Sequence, residues 1–400
     1  ETTPVILAAR RTPIGRYLGG LAPLTAPQLG GLAIKAAVES AGIPAAAVEQ
    51  VIMGHVLQGG TGQAPARQAS LAAGLPVGVT ALTINKVCGS GLQAVMLAAQ
   101  AIKAGDAQVI VAGGQESMSN APHYVSGMRG GIKLGDQTLV DGMIRDGLHC
   151  ATYGCHMGGH AEYTALTAQI SRADQDAFAA GSHAKAVAAQ QAGKFAAELV
   201  PVTLPGRKGD TVVAADEGPR GDTTAESLAR LRPAFPKDAP AGTAAEALSV
   251  TAGNASSLND GGAAVVVTSL AFAQAHGLPV LARITGYSTG AVDPRELFFA
   301  PITAVRTLMQ RAGTVIGDYG LIEANEAFAS QALADGRALG WDWDRVNVHG
   351  GAIALGHPIG ASGTRVLVTL LHAMRDRDVA TGLATLCLGG GDAVALSVAR

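Results

Sequence analysis

The chain has 400 residues, 48% of them hydrophobic and 15% charged, with 53 glycines and a formal net charge of −2. This length and apolar content support two or three domains around a large core with many tight turns, and the near-zero charge leaves no electrostatic footprint for nucleic acid or an anionic membrane. No apolar run approaches the ~20 residues needed to span a bilayer, Glu1-Thr2-Thr3-Pro4-Val5 lacks the pattern of a signal peptide, and four cysteines in so long a chain make no disulfide framework, so a reducing, cytoplasmic setting is expected.

In chain order, Ala81-Leu82-Thr83-Ile84 reads as a short buried strand. It passes through Asn85-Lys86-Val87-Cys88-Gly89-Ser90-Gly91 into a helix from Leu92 to Ala104, stopped at Gly105. The strand Val109-Ile110-Val111-Ala112 and the pair Gly113-Gly114 follow. The text then becomes Gly- and Pro-rich, with one long helix expected from Ala173 to Ala192, until a strand returns at Asp260 to Thr268. Farther on, the strand before Asn325 leads to a helix from Ala327 to Leu339. A Gly-rich turn from Asn347 to Gly363, holding His357, opens a helix to about Met374. The strand Leu383-Ala384-Thr385-Leu386 ends at Cys387 and Gly389-Gly390-Gly391, and Asp392 to Val398 is a closing strand.

The Cys88 and His357 segments look like two copies of one unit. The second copy closes at once, but the matching closing strand of the first appears only near Asp260, so residues 119–250 read as an insert. The expected division is 1–118 plus 251–270, an inserted loop domain 119–250 over the site, and 271–400. Alternating strands and helices predict mostly parallel α/β layers covered on both faces, with ligands gathered at turns beyond the strand ends.

Cys88 is the best candidate for a nucleophile, because its turn faces the unpaired N–H groups and positive end of a helix, which favour thiolate over thiol. A helix terminus is worth roughly 0.3–1 kcal/mol, and ~2 when partly buried, against about 1.4 kcal/mol for one pKa unit. The dipole alone is therefore too weak, and a second activator is needed. His357 is the natural partner, with His349 as competitor. Cys387 and its glycines offer a second thiol and backbone N–H groups that approach a ligand closely. Asn325 is a polar group between strand and helix, where the plainer reading is a helix cap. Cys155, His156 and His160 suggest a metal cluster, but Met157 stands where a zinc-protease motif needs Glu and Gly158-Gly159 argues against a helix, so no metal is expected. Gly89-Ser90-Gly91-Leu92-Gln93-Ala94 also matches a dinucleotide-binding fingerprint, a weak motif that leaves Cys88 unexplained.

These blocks together resemble the thiolase family, in its short-chain biosynthetic form, nearly end to end. The resemblance runs through Arg11-Thr12-Pro13-Ile14-Gly15, the Cys88 turn, Gly113-Gly114-Gln115-Glu116-Ser117-Met118-Ser119 and His156-Met157-Gly158. It continues through Ala252-Gly253-Asn254-Ala255-Ser256, Asn325-Glu326-Ala327-Phe328, Gly356-His357-Pro358 and Cys387. It implies a duplicated α/β thiolase fold, layered α-β-α-β-α with an inserted loop domain. The implied activity is condensation of two acetyl-CoA to acetoacetyl-CoA plus CoA through acetyl-Cys88, reversible as thiolysis. His357 would take the Cys88 proton and Cys387 would deprotonate the second acetyl-CoA. One oxyanion site would use His357 with a water held by Asn325, the other the N–H groups of Cys88 and Gly389. His156, Met157 and Phe328 would shape the acyl pocket, with Arg220 and Ser256 on CoA, although an exposed Arg is often only a solvated charge. No cofactor is implied beyond the CoA thioesters that are the substrates. The stretch from His123 to Ile144 resembles a tetramerisation loop, implying a homotetramer built as a dimer of dimers.

Several positions depart from the family text. Asp392-Ala393 replaces an uncharged residue and Gly, Ser257 stands where Gly is common, Leu297-Phe298-Phe299-Ala300 replaces a Met-Gly-x-Gly stretch, and His160 and Tyr163 alter the text around Ala161-Glu162. A degradative 3-ketoacyl-CoA thiolase of broader chain length is the alternative, with His156-Met157 against it.

Overall fold

The computed structural model describes residues 2–400. The strands of the first part are β1 (Pro4–Arg11), β2 (Gly15–Arg16), β3 (Gln50–Gly54), β4 (Thr80–Ile84) and β5 (Val109–Ser117). Two small hairpins follow, β6 (His123–Tyr124) with β7 (Val140–Asp141) and β8 (Val202–Leu204) with β9 (Thr211–Val213), before β10 (Asn259–Ser269). The last part supplies β11 (Ala282–Ala291), β12 (Leu321–Ala324), β13 (Thr381–Leu388) and β14 (Asp392–Ala399). The main sheet has the order β12-β13-β14-β11-β1-β10-β5-β3-β4, with β2 beside β10. Its two halves join where β1 meets β11 at Val5↔Arg283 and Ile6↔Ala282.

The sheet is mixed, which corrects the expectation of mostly parallel strands. Parallel pairing is confined to β3–β4, β3–β5 and β12–β13, while β1–β10, β10–β5, β11–β14 and β13–β14 run antiparallel. The physical reason is connection length. A parallel return needs a crossover of about a dozen residues or more, and the three-glycine turn between Leu388 and Asp392 permits only a hairpin. β4 is also not buried as predicted. It pairs only with β3 at the sheet's end and leaves Leu82 43% exposed.

Two helices, Ser90–Ala104 and Ile359–Asp376, fill the space between the half-sheets. Leu92, Val95 and Ala99 of the first and Val366, Leu367 and Leu370 of the second share one core with Ile110 and Val265 on one side and Leu386 and Leu396 on the other. Side-chain-free contacts let them approach: a Cβ on Gly91 would sit 2.7 Å from the Thr364 nitrogen and one on Gly363 would fall on the backbone of Leu92, while Gly114 of β5 lets the strand approach Gly360 in the same way. The outer faces are covered by Ala26–Ala41 over β5 and β10 and by Ala300–Ala312 over β11 and β14. Ala26–Ala41 does this with a stripe of Leu29, Ala33, Ala37 and Ala41, and ends at Gly42 in the left-handed conformation (φ 68°). Helices, half-sheet, central helices, half-sheet and helices give the α-β-α-β-α layering.

Between β5 and β10 the chain builds the cover over one end of the sheet. Its long helix is Arg172–Gln191, started by Ser171, whose Oγ accepts from the Asp174 N–H. A second helix, Met157–Thr167, forms where Gly158-Gly159 argued against one. Those glycines are steric necessities: a Cβ on Gly158 would fall into the Phe235 ring and one on Gly159 onto the Asp238 backbone. The helix predicted from Ala327 starts at Ala329, with Phe328 as its N-cap. Arg11 of β1, 1% exposed, pins the cover to the sheet through Glu198 (2.7 Å) and Asp216 (2.7 Å).

Candidate active site

The Cys88 turn is held by its own backbone. Val87 takes a left-handed conformation (φ 45°), strained for a β-branched residue, and Ser90 staples it by accepting from Lys86 N–H (2.8 Å) and donating to the Val87 carbonyl (2.6 Å). The Lys86 ammonium pairs with Asp392, so the acidic departure from the family text joins the Cys88 turn to the glycine turn after Cys387. Glu116, fully buried, ties the same region to the second half by accepting N–H groups from Val56 (3.1 Å), Leu57 (3.2 Å) and Gly360 (2.9 Å).

A cavity of about 670 Å³ opens beside these turns. Cys88, His357, Cys387 and Gly389 line it together with His156, Met157, Phe328, Arg220 and Ser256. Asn325, 1% exposed, stands behind the lining with Nδ2 3.4 Å from His357 Nε2, which removes the reading as a helix cap. His349 lies elsewhere, edge-on to Phe195 at 5.8 Å, so it is not the competitor for His357 that the sequence allowed.

His357 is fixed in one tautomer. Ser362 Oγ donates to the Pro358 carbonyl (2.9 Å) and therefore accepts from His357 Nδ1–H (2.6 Å), which leaves the Nε2 lone pair to accept the Asn325 Nδ2–H (3.4 Å). The backbone N–H of His357 donates to Asn259 Oδ1 (2.9 Å). Burial, with the Arg365 charge adding to it, lowers the imidazole to about 3. Burial likewise raises the Cys88 thiol to about 12, with Glu116 adding to the rise and the N–H groups of Cys88 and Gly389 opposing it. Cys387 is pushed well up by burial and then by the proximity of Cys88 and Asp335. Desolvation thus outweighs the helix end, in keeping with a dipole too weak to act alone, and both the Cys88 thiol and the His357 imidazole are held toward their neutral forms. A neutral imidazole is the protonation state able to accept a proton from a thiol.

The wall that packs against Cys387 is aromatic. The His156 ring stacks on Phe235 (4.7 Å between centroids) and its Nδ1 accepts from Gly158 N–H (3.0 Å), capping the helix that begins with Met157. Phe328 meets Phe298 at 5.2 Å and Phe235 at 6.2 Å, both edge-to-face. Phe298 is buried, so this departure fills the wall rather than protruding. At the mouth Arg220 is exposed, and its backbone N–H donates to His183 Nδ1 (3.2 Å). Ser256 is half-buried, held by its N–H to the Ala327 carbonyl (2.9 Å). Ser362, Asn259, Phe235 and His183 were not singled out from sequence. A serine one turn into a helix, or a lone aromatic on a loop, carries no local signal.

Residues 4–271 match the thiolase N-terminal domain and residues 278–400 the thiolase C-terminal domain. The chain belongs to the thiolase family. This thiolase is 56% identical to an acetyl-CoA acetyltransferase of Pseudomonas aeruginosa over 397 residues, 99% of each chain, and 55% identical to an acetyl-CoA acetyltransferase of Cupriavidus necator over the full length of both. Its fold is similar to the crystal structure of the Bacillus anthracis acetyl-CoA acetyltransferase, with a TM-score of 0.95 and 41% identity over 99% of this chain and 98% of that one.

Proposed function

We propose that this thiolase is an acetyl-CoA C-acetyltransferase, an acyltransferase that converts two acetyl-CoA to acetoacetyl-CoA plus CoA, reversibly. The observation that carries the reading is the convergence of two thiols, Cys88 and Cys387, and one neutral imidazole, His357, on a single cavity. Cys88 attacks the thioester carbonyl of acetyl-CoA as His357 Nε2 receives its proton, CoA leaves as the thiol, and acetyl-Cys88 remains. Cys387 removes the proton from the carbon beside the carbonyl of the second acetyl-CoA, and that carbon attacks the acetyl group on Cys88. The charge that develops on oxygen is met by two donor sets: the N–H groups of Cys88 and Gly389, and His357 with a water held by Asn325. Losing one such donor costs about 10²–10³ in rate. These side chains supply the acid, base and nucleophile, so no metal or cofactor is proposed beyond the CoA thioesters acetyl-CoA and acetoacetyl-CoA and CoA itself.

The insert 119–250 is proposed to carry the acyl wall and CoA contacts, with 1–118 plus 251–270 supplying the nucleophile and 271–400 the base and second thiol. Met157, Phe328 and the His156–Phe235 stack bound the acyl end, favouring the short-chain reading over the degradative one. Arg220 and Ser256 are proposed CoA contacts. A cytoplasmic homotetramer with His123 to Ile144 at its centre is part of the same proposal. No helix among the described residues is long and apolar enough to cross a membrane.

Mass spectrometry after incubation with acetyl-CoA tests the reading. A single acetyl group mapped to Cys88 is expected, and an adduct confined to Cys150, Cys155 or a lysine overturns it. Each added methylene must displace packed side chains at about 1–3 kcal/mol, so thiolysis of the four-carbon 3-ketoacyl-CoA should exceed that of the six-carbon one by roughly 10- to 200-fold in kcat/KM. Comparable values for the two would restore the degradative alternative.

A further inference from the structure

The acetyl-transfer chemistry uses two of the four cysteines and leaves Cys150 and Cys155, both free thiols. They face each other across a six-residue loop. His149 and His156 form an antiparallel bridge, and inside it the Cys150 N–H donates to the Cys155 carbonyl (2.8 Å), while Gly154, at φ 65°, returns its N–H to the Cys150 carbonyl (2.8 Å). The Cys150 N–H to Cys155 carbonyl bond sets the two main chains side by side, while the second bond of a regular antiparallel pair is replaced by that of Gly154. A disulfide spans Cα separations of about 4.4–6.8 Å, the range of neighbouring hydrogen-bonded main chains, and forming one here requires the Cys150 sulfur to leave the Tyr153 N–H.

The surroundings give the two sulfurs different tasks. Cys155 is half-buried behind the exposed tip Ala151–Gly154, and its Sγ is 3.5 Å from His160 Nε2. Burial keeps His160 below its ordinary value, so its imidazole is neutral and can accept the Cys155 proton. Cys150 is 4% exposed, and its Sγ accepts the Tyr153 N–H (3.4 Å). Burial, and then Cys150 and Asp238, raise the Cys155 thiol, so its reactivity rests on proton transfer to the adjacent His160 ring rather than on a standing thiolate, with a second thiol sheltered behind it to resolve the product.

We propose that Cys150 and Cys155 form a reversible oxidation site, in which Cys155 reacts with a hydroperoxide and Cys150 resolves it to an intraloop disulfide. The Cys155 sulfur attacks the outer oxygen of the hydroperoxide, the O–O bond breaks, and Cys155 becomes a sulfenic acid as the alcohol or water leaves. The Cys150 sulfur then displaces that hydroxyl, which leaves as water with the Cys150 proton. Two thiols are oxidised and one hydroperoxide is reduced. Because Cys155 precedes His156 and Met157, the bond links the redox state of a surface loop to the wall of the acyl cavity.

Tryptic mapping separates this event from oxidation at the reacting centre. Cleavage at Arg145 and Arg172 puts Cys150 and Cys155 alone together in peptide 146–172, while Cys88 falls in 87–103 and Cys387 in 378–400. The full-length protein is treated with stoichiometric hydrogen peroxide, alkylated and digested. The expected result is peptide 146–172 lighter by two hydrogens and without alkyl groups, with both sites alkylated after dithiothreitol. In Cys150→Ser the resolving sulfur is gone, and a dimedone adduct on Cys155 should appear instead. Peptide 146–172 still doubly alkylated at a dose that oxidises Cys88 overturns the proposal, as does a disulfide joining either residue to Cys88 or Cys387.

Discussion

From Ile359 to Met374 every residue of one central helix is buried, whereas the other, Ser90–Ala104, leaves Gln93, Leu97 and Ala101 half-buried and Gln100 and Lys103 in solvent. The strands that feed the two regions differ in the same way. β4 is a half-exposed edge, while β12 is buried along its length. The open half presents Cys88, which must meet a substrate arriving from outside. The enclosed half presents His357, whose tautomer must be held by Ser362 and whose neutrality follows from burial. Accessibility and preorganisation are thus assigned to different copies of the same unit, and the cavity is where they meet.

The sharpest test of that division is chemical. Cys88→Ala should lower turnover by at least about 10⁴-fold and abolish exchange between acetyl-CoA and free CoA. Cys387→Ala should lower condensation by roughly 10²–10⁴-fold while still forming acetyl-Cys88 in a single-turnover assay. Equal loss in both half-reactions would break the assignment of separate tasks. Ser362→Ala removes the acceptor that holds the Nδ1 proton, and kcat should fall by roughly 10²-fold with KM nearly unchanged. A fall in thermal stability without that kinetic loss would make Ser362 a packing residue only.

The smallest expected effect is on pH dependence. His357 is lowered from 6.5 to about 3 and His183 to about 4, so between these limits the unfolded chain binds protons that the folded one does not. Their contribution to stability is complete above 6.5 and declines as pH falls toward 3. Glu323 acts oppositely: burial raises it to about 8, the Arg365 charge opposing, so its carboxyl favours the fold at low pH and loses that contribution as pH rises from 4.5 to about 8. Urea midpoints measured across this range should peak between the two limbs, and His357→Gln should flatten only the acidic one. An acidic limb unchanged in that variant would mean that His357 is not held neutral by the fold.

Much of the candidate site was legible because residue chemistry and chain geometry coincide in short segments. Cys88 and Cys387 sit in glycine turns where a strand ends, and His357 in one between the short helix Ala352–Leu355 and the helix Ile359–Asp376; such turns announce themselves by residue type. The helix at Met157 was misread for the opposite reason. Gly158 and Gly159 look like breakers locally, yet they answer to Phe235 and Asp238, far away in sequence. Mixed strand direction was missed because period-two patterns carry no information on polarity, and the exposure of β4 depends on its place in the sheet order. Ser362 was silent because its role exists only through the ring five residues before it.

The glycine contacts between the central helices bear on how such a protein changes over generations. Where Gly91 meets Thr364 and Gly363 meets Leu92, main chain rests on main chain, and no graded series of side chains lies between. The spacing of the two central helices, which follow Cys88 and His357, therefore cannot be tuned by small substitutions: a variant either keeps it or loses the fit. The wall built by Met157, Phe235, Phe298 and Phe328 has no such constraint, since each side chain there can be exchanged while the frame stands. Descendants of this sequence can drift in what they accept, but they inherit the distance across which they react as a single indivisible trait.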